Sequence, residues 1–370
     1  MTLAVILVAV DSEPKERNGW HFAGLPLINF NSDEGVGYGV RLAAYDHGQN
    51  EKPYHYALIG QFFQTTRGVA FHSVQFDAPR FRGSAWRLGL QGQLNAERFS
   101  NYFGLGNRSE RIAELTECDD SAALEENPDV CPGNPAFIGA RYYQYSERVP
   151  TAVLNLRRDL SEDWQLFIGY RFRFYDLDVT YDRDDLGQSA PSKLLEDLEA
   201  GESIVGLELD ENGDARGQRE ADIRLGIFYD TRDNEPSPNS GMFNTLTARI
   251  AGPAVGGAFT YGGVNLHLRA YQLLTPRLVL AGRLLADFTF GDVPFYQLTV
   301  IPALSDVDGL GGSTTLRGIL KNRYSGKIKL SSSVEARYRL TQFSLFGQDI
   351  AMTLMAGFDA GRVWADYESD

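Results

Sequence analysis

No run of about 20 uninterrupted apolar residues occurs in this chain, which excludes a membrane-spanning helix. A membrane-spanning strand asks for less, about 9–11 residues with apolar side chains at alternate positions, so a mean hydropathy of −0.28 leaves a barrel open. Basic residues are in short supply, with 35 Lys and Arg against 49 Asp and Glu. The net charge of −14 and pI near 4.9 exclude nucleic acid as a partner, because neutralising phosphates requires a basic face. Histidine is scarce: the five are His21, His47, His55, His72 and His267. No Gly-rich phosphate loop, G-x-S-x-G elbow or Cys/His cluster accompanies them, so the sequence implies no cofactor, no metal and no enzyme chemistry. His267 alone lies inside a clearly alternating stretch, on its polar face, where a hydrogen-bond network explains it better than a general base does.

Only two cysteines occur, Cys118 and Cys131, both in the polar stretch between Arg108 and Pro135. A pair within one loop suits a disulfide formed in an oxidising compartment, worth roughly 3 kcal/mol by loop closure, with two free thiols as the alternative. Zinc is disfavoured, since two thiolates without a nearby histidine leave it short of ligands.

What the chain has in quantity is aromatic residues and glycine, 22 Phe, 18 Tyr and 38 Gly, spread through segments where apolar and polar residues alternate. Strands are expected at 20–30, 35–46, 53–66, 69–79, 84–96, 139–159, 163–181, 219–231, 241–251, 257–273, 276–290, 327–341 and 349–364. That makes one all-β unit over 20–370, with no helical block and no domain boundary. The alternation assigns faces. In 264–272, Val264, Leu266, Leu268 and Ala270 oppose Asn265, His267, Arg269 and Tyr271; in 327–340, Ile328, Leu330, Val334, Ala336, Tyr338 and Leu340 oppose Lys329, Glu335, Arg337 and Arg339.

A soluble sandwich also alternates, so alternation alone decides nothing. Two features favour a transmembrane antiparallel barrel: runs of roughly 15 residues exceed the usual five or six, and the polar face is crowded with Arg, Lys, Asp and Glu, as a wet lumen allows. Trp164, Tyr170, Phe172 and Phe174 fall on the apolar parity opposite Arg171 and Arg173, as lipid-facing and girdle positions do. Short links at 67–68, 80–83, 160–162, 252–256 and 274–275 alternate with long ones at 97–138, 182–218 and 291–326, matching short periplasmic turns and long external loops. Acidic residues concentrate in the long links at 110–129 and 182–214 without calcium-loop spacing. They read as solvated faces, with divalent bridging to lipid or lipopolysaccharide headgroups as the alternative. The first ten residues, MTLAVILVAV, resemble the apolar core of a secretory signal peptide lacking its basic lead. Residues 1–19 are therefore expected to be a signal-peptide remnant rather than a buried first strand, since the sequence turns polar at once after Val10.

The last long link holds 309–324, GLGGSTTLRGILKNRY. Gly309, Gly311, Gly312 and Gly318 permit backbone conformations closed to other residues, and Ser313, Thr314 and Thr315 offer local hydrogen bonds, so a packed loop is expected around Arg317. This run resembles the sixth external loop of the BamA/TamA outer-membrane assembly family, the bacterial surface antigens, whose [VIL]RG[FY] motif folds back into the barrel. Leu316, Arg317 and Gly318 match, and Ile319 stands where the family has an aromatic residue. Residues 229–241, YDTRDNEPSPNSG, resemble the family's D-x-R-D-N turn through Asp230, Arg232, Asp233 and Asn234, closing on Gly241. Residues 358–361, FDAG, followed by Val363 and Trp364, resemble its motif on the second strand after the loop. With Phe358 facing lipid, Asp359 faces the lumen, as does Glu335 one strand earlier. Parity and resemblance together lead us to expect Arg317 between these two carboxylates.

The resemblance implies a 16-strand barrel with the inward loop between strands eleven and twelve. Eleven expected strands precede Gly309 and two follow, so the chain is expected to cover about 13 strands and to be incomplete on its C-terminal side; a closed barrel of thirteen would force a parallel seam. About 19 residues precede the first strand, too few for the family's periplasmic POTRA repeats. Pro26 marks that strand as an edge, since proline cannot complete a ladder. The implied function is insertion or translocation of protein or lipid at the bacterial outer membrane, with unfolded outer-membrane proteins or periplasmic factors as partners. A passive or selective pore or structural surface antigen is the alternative, and a lipid-modifying barrel enzyme the third reading.

Overall fold

The computed structural model describes residues 2–10, 18–31, 35–49, 53–107, 109, 140–183, 188–200, 204–209, 217–235, 237–302, 307–312, 314–345 and 348–368. Cys118 and Cys131, and with them the expected disulfide, lie outside the described residues, as does Ser313.

All thirteen expected strands form, as β2 (Asn18–Asn31), β3 (Gly35–Gln49), β4 (Tyr56–Thr65), β5 (Val69–Ala78), β6 (Trp86–Asn101), β7 (Gln144–Asp159), β8 (Trp164–Asp178), β11 (Gln218–Asp230), β12 (Gly241–Ala251), β13 (Tyr261–Thr275), β14 (Leu278–Gly291), β17 (Ile328–Leu345) and β18 (Gln348–Trp364). With β1 (Thr2–Val10) they make a single 14-stranded antiparallel sheet, each strand bonded to its predecessor in this series and β1 bonded to β18. Between β8 and β11 lie a small hairpin, β9 (Thr180–Arg183) and β10 (Gln188–Pro191), and helix α1 (Lys193–Glu199); between β14 and β17 lie helix α2 (Phe295–Leu298) and the two-residue strands β15 (Val300–Ile301) and β16 (Val307–Asp308). The sheet is not closed, because β1 and β2 are its two ends. β2, which carries Pro26, is therefore an edge strand.

Thr2–Val10 corrects one expectation. The segment pairs along its whole length with β18, from Thr2↔Gly357 to Val10↔Asp349, so its conformation is a strand's. Its uniform apolarity gives no period to read, while a run rich in β-branched residues suits a ladder along the unpaired edge of β18. The correction concerns conformation and leaves the expected role in export untouched. Two strand starts also move. Residues 140–143 form a 3-10 turn that buries Tyr142 and Tyr143, and 252–260 turn through Pro253–Val255 and the left-handed Gly256, so β7 and β13 begin later than alternation suggests.

The two faces separate by parity. Phe358 is 74% exposed and Ile250 70%, and Leu225, Val74 and Leu284 join them on the outer face. No soluble protein leaves a continuous apolar band of this kind in water, whereas a bilayer is the solvent it fits. The inner face carries Arg171, Arg173, Glu220, Asp222, Arg249, Asp287 and Lys329, all buried. They neutralise one another across strands: Arg171 Nη2 lies 2.8 Å from Asp222 Oδ2, Arg173 Nε 2.7 Å from Glu220 Oε2, and Lys329 Nζ 3.0 Å from Asp287 Oδ2.

Strict up-and-down order fixes which links share an end. The long connections β6–β7, β8–β11 and β14–β17 lie at one end, and so do the short ones at 66–68 and 252–260, which the sequence grouped with the short turns of the other end. At the long-loop end Tyr102, Tyr145, Tyr175, Leu194, Ile204, Phe295 and Tyr296 form one buried cluster, a cap assembled from three long connections. Phe295 N donates to Val205 O at 2.9 Å, and Gln297 Nε2 to Glu220 Oε2 at 3.0 Å, tying the cap to the inner face.

Candidate functional site

The connection from β14 to β17 is the sixth at its end, counting from β2–β3. It turns inward. Gly309 N donates to Thr299 O at 2.8 Å, with no room for a Cβ, which would stand 2.4 Å from that same oxygen. Leu310 pairs with Tyr324 across the neck of the loop. Inside the tip, buried Thr315 organises the turn: its Oγ1 accepts from Gly311 N at 3.1 Å and lies 2.5 Å from Gly309 O and 3.0 Å from Gly311 O. Leu310 and Leu316 pack with Ile301, Leu285 and Val363 in a small apolar cluster against β14 and β18. Gly361 makes this approach possible, because a Cβ there would come within 2.8 Å of Leu310 Cδ2.

Arg317 is brought to both expected carboxylates. Its Nε donates to Asp359 Oδ2 at 2.7 Å and its Nη2 to Asp359 Oδ1 at 2.6 Å, a two-pronged fork, while its backbone N–H reaches Oδ2 at 3.1 Å. Nη1 donates to Glu335 Oε1 at 2.8 Å, and the other oxygen of Glu335 takes Arg337 Nη2 at 2.6 Å. Gly357, which no motif singles out, leaves space for the guanidinium: a Cβ there would lie 2.7 Å from Nη2. Ile319, at the position where an aromatic residue was expected, is 38% exposed and joins the loop mainly through its backbone, accepting from Gly312 N at 2.9 Å.

Further contacts unseen in sequence carry the loop to the opposite wall. Lys321 Nζ meets Glu97 Oε2 on β6 at 2.7 Å, and Asn101 Nδ2 donates to Lys321 O at 3.2 Å. Arg323 donates to Ser109 Oγ at 2.8 Å and stacks 5.0 Å from the Phe103 ring centre. β17 and β6 stand seven places apart in the sheet, so one loop touching both shows the sheet curled around it. No linear pattern signals such contacts, since they depend on how far the wall bends.

Gly311 and Gly318 separate two roles for glycine. Both have positive φ, 122° and 91°. A Cβ on Gly311 would stand 2.0 Å from Leu320 O, whereas one on Gly318 meets nothing within 4 Å. Gly318→Ala is expected to cost about 1–2 kcal/mol, the backbone strain alone. Gly311→Ala must also displace the Leu320 peptide. Limited proteolysis of the folded protein should cut the loop of Gly311→Ala far faster than that of Gly318→Ala; equal rates would refute this packing.

The turn motif lies at the other end of the wall and does not touch Arg317. Arg232 forks onto Asp230, Nε to Oδ1 at 2.8 Å and Nη2 to Oδ2 at 2.7 Å, and stacks 4.1 Å from the Phe243 ring centre. Asp233 Oδ1 accepts from the backbone N–H of Asn239 at 2.9 Å and Ser240 at 3.1 Å; burial alone would raise its pKa, but these amides hold it below the usual carboxylate value. Asn234 Oδ1 accepts from Ser237 N at 3.1 Å, and Gly241 at φ 94° fits where a Cβ would strike Thr231 O. His267 is buried on the inner face, yet its Nε2 has no hydrogen-bond partner, so the expected network stops short of that nitrogen.

A model described as the Omp85 superfamily domain matches residues 72–370, and one described as a domain of unknown function (DUF5982) matches residues 10–57. Among solved structures, BamA from Haemophilus ducreyi lacking POTRA domains 1-3 aligns at 13% identity and TM-score 0.51, covering 97% of this chain and 75% of that one. CdiB from Escherichia coli aligns at 10% identity and TM-score 0.48, covering all of this chain and 65% of its own. At such identities the likeness concerns the fold alone. No curated protein matches the chain.

Proposed function

Because the chain belongs to the Omp85 superfamily and is thus an outer-membrane β-barrel, we propose that it inserts or translocates protein, or lipid, at that membrane without covalent catalysis. The observation that carries this reading is the inward loop, forked through Arg317 onto Asp359 and Glu335 and reaching β6 through Lys321. In this reading Arg317 is the loop anchor, and clients are unfolded outer-membrane proteins or lipids, received with or without periplasmic factors and with lipopolysaccharide at the outer surface. A passive pore fits less well, because the same loop runs from β17 and β18 across to β6 and the aromatic cap packs at the long-loop end, both in the way of a solute.

The test uses the full chain in proteoliposomes with a urea-denatured outer-membrane barrel as client. Folding of the client is expected to be several-fold faster than in empty liposomes, with no matching rise in ion conductance. Conductance without faster client folding would instead support the pore.

A further inference from the structure

One stretch of the inner face sets two guanidiniums side by side without an ion pair to either among the described residues. Arg269 on β13 and Arg283 on β14 stand directly opposite in register, both on the inner parity. Like charges so placed repel, with Cβ atoms about 5 Å apart. Among the described residues neither makes an ion pair. Arg283 Nη2 donates to the carbonyl of Thr314 and leaves its buried Nε without a partner; Arg269 spends only Nε, at 3.4 Å, on Phe243 O and rests 4.2 Å from the Phe243 ring centre. Glu335 on β17 is already shared between Arg317 and Arg337.

These groups line one cavity of about 370 Å³, whose wall includes His267, Arg269, Arg283, Arg337 and the already paired Glu335, and whose lining includes Thr314 of the inward loop. His267, only 5% exposed, is a wall residue whose Nε2 has no partner. Two guanidiniums without an ion pair and an imidazole nitrogen without a partner, around a space of this size, suit a bound anion. We propose that this cavity is a binding site for a phosphate-type dianion, held between Arg269 and Arg283 beneath the inward loop. One tetrahedral dianion offers oxygens to both planar forks and carries a charge that offsets the repulsion between them. The stacking of Arg269 on Phe243 and the bond from Arg283 to the loop keep both groups positioned before the anion arrives. The same chemistry is presented by free phosphate and by a lipid headgroup that ends in a phosphomonoester, which, unlike a phosphodiester, carries a second negative charge.

The experiment uses the full chain, purified in detergent and exchanged into phosphate-free buffer. Inorganic phosphate should raise the unfolding midpoint of the wild type above that in chloride at equal ionic strength. Arg269→Gln and Arg283→Gln should each bind phosphate about tenfold more weakly, the loss expected for one charge-assisted fork. Neither variant need misfold. Each variant also loses its contact with Thr314 or Phe243, so the readout is the rise that phosphate gives over that variant's own phosphate-free midpoint, which a merely structural arginine would not change. Native mass spectrometry separates the sources: a phosphomonoester lipid retained by the wild type and lost from both variants supports a headgroup, whereas phosphate stabilisation of lipid-free protein supports the free ion. The proposal is overturned if phosphate gives no specific shift in the wild type, or if both variants shift as much as the wild type does.

Discussion

Arg317→Ala is expected to leave a folded barrel whose loop is open to protease and whose client-folding activity is lost. Among the described residues the substitution removes every hydrogen bond to the Asp359 carboxylate except that from the backbone N–H of residue 317 itself, because both fork bonds come from this one guanidinium. Glu335 fares better, since Arg337 still neutralises it. The main cost is thus one stranded carboxylate, its side chain 7% exposed, and breaking such a pair costs about 3 kcal/mol, the lower end for fully buried pairs. The outer wall is untouched, so the loss falls on the loop. This ordering gives a sharper test than the single change. Asp359→Ala should approach Arg317→Ala in effect, Glu335→Gln should be milder, and Arg317→Lys should be intermediate because it keeps charge but loses the fork. The double variant Arg317→Ala, Asp359→Ala should be less impaired than the sum of its singles, since each single already breaks the same contact. Heat-modifiability on gels and protease digestion of folded protein measure all five. Wild-type resistance in Arg317→Ala would sink the idea that this residue holds the loop.

The partners of Arg317 were legible in the sequence for a physical reason. Strands alternate strictly, so alternation alone puts Asp359 and Glu335 on the inner face, and the loop's glycines and hydroxyls mark a packed turn. Gly357 was not legible, because nothing in FDAG or its surroundings says that the guanidinium will lie over a residue two positions away. The contacts of Lys321 with Glu97 and of Arg323 with Ser109 were equally hidden, as they join residues more than 200 positions apart across a curved wall. Long periodic strands declared themselves; β1 did not, since a uniformly apolar run has no face to read. β7 and β13 began late because their first expected residues are drawn into turns at the long-loop end, a tertiary demand that local alternation does not record. The opposed arginines at 269 and 283 belong to both classes: parity put each on the inner face, but only the register showed that they oppose each other.

Asp287→Ala is expected to be the most destabilising single change on the inner wall. Asp287 is fully buried and serves two cations at once: Arg249 reaches it through Nη1 at 2.8 Å and Nη2 at 3.1 Å, and Lys329 through Nζ at 3.0 Å. Lys329 lies directly across the β14–β17 ladder, but Arg249 sits on β12 and must pass over β13 to arrive. It passes at Gly263, where a Cβ would stand 2.5 Å from the guanidinium carbon. Removing the carboxylate leaves two buried cations facing each other, and breaking a buried pair in this way costs about 3–5 kcal/mol. Lys329→Met behaves differently, because it removes one cation and leaves Arg249 and Asp287 matched one to one. It should lie within about 1 kcal/mol of the wild type, since replacing a buried ion by an apolar group of similar volume is often neutral. Combining Lys329→Met with Asp287→Ala should recover part of the loss by relieving the repulsion. Gly263→Ala should mimic a partial loss of Asp287 by blocking the path of Arg249. Denaturant unfolding in detergent, followed by the gel shift of the folded barrel, orders the variants: Asp287→Ala below Gly263→Ala, and both below Lys329→Met. If Lys329→Met proves as damaging as Asp287→Ala, the carboxylate is not the hub of this cluster.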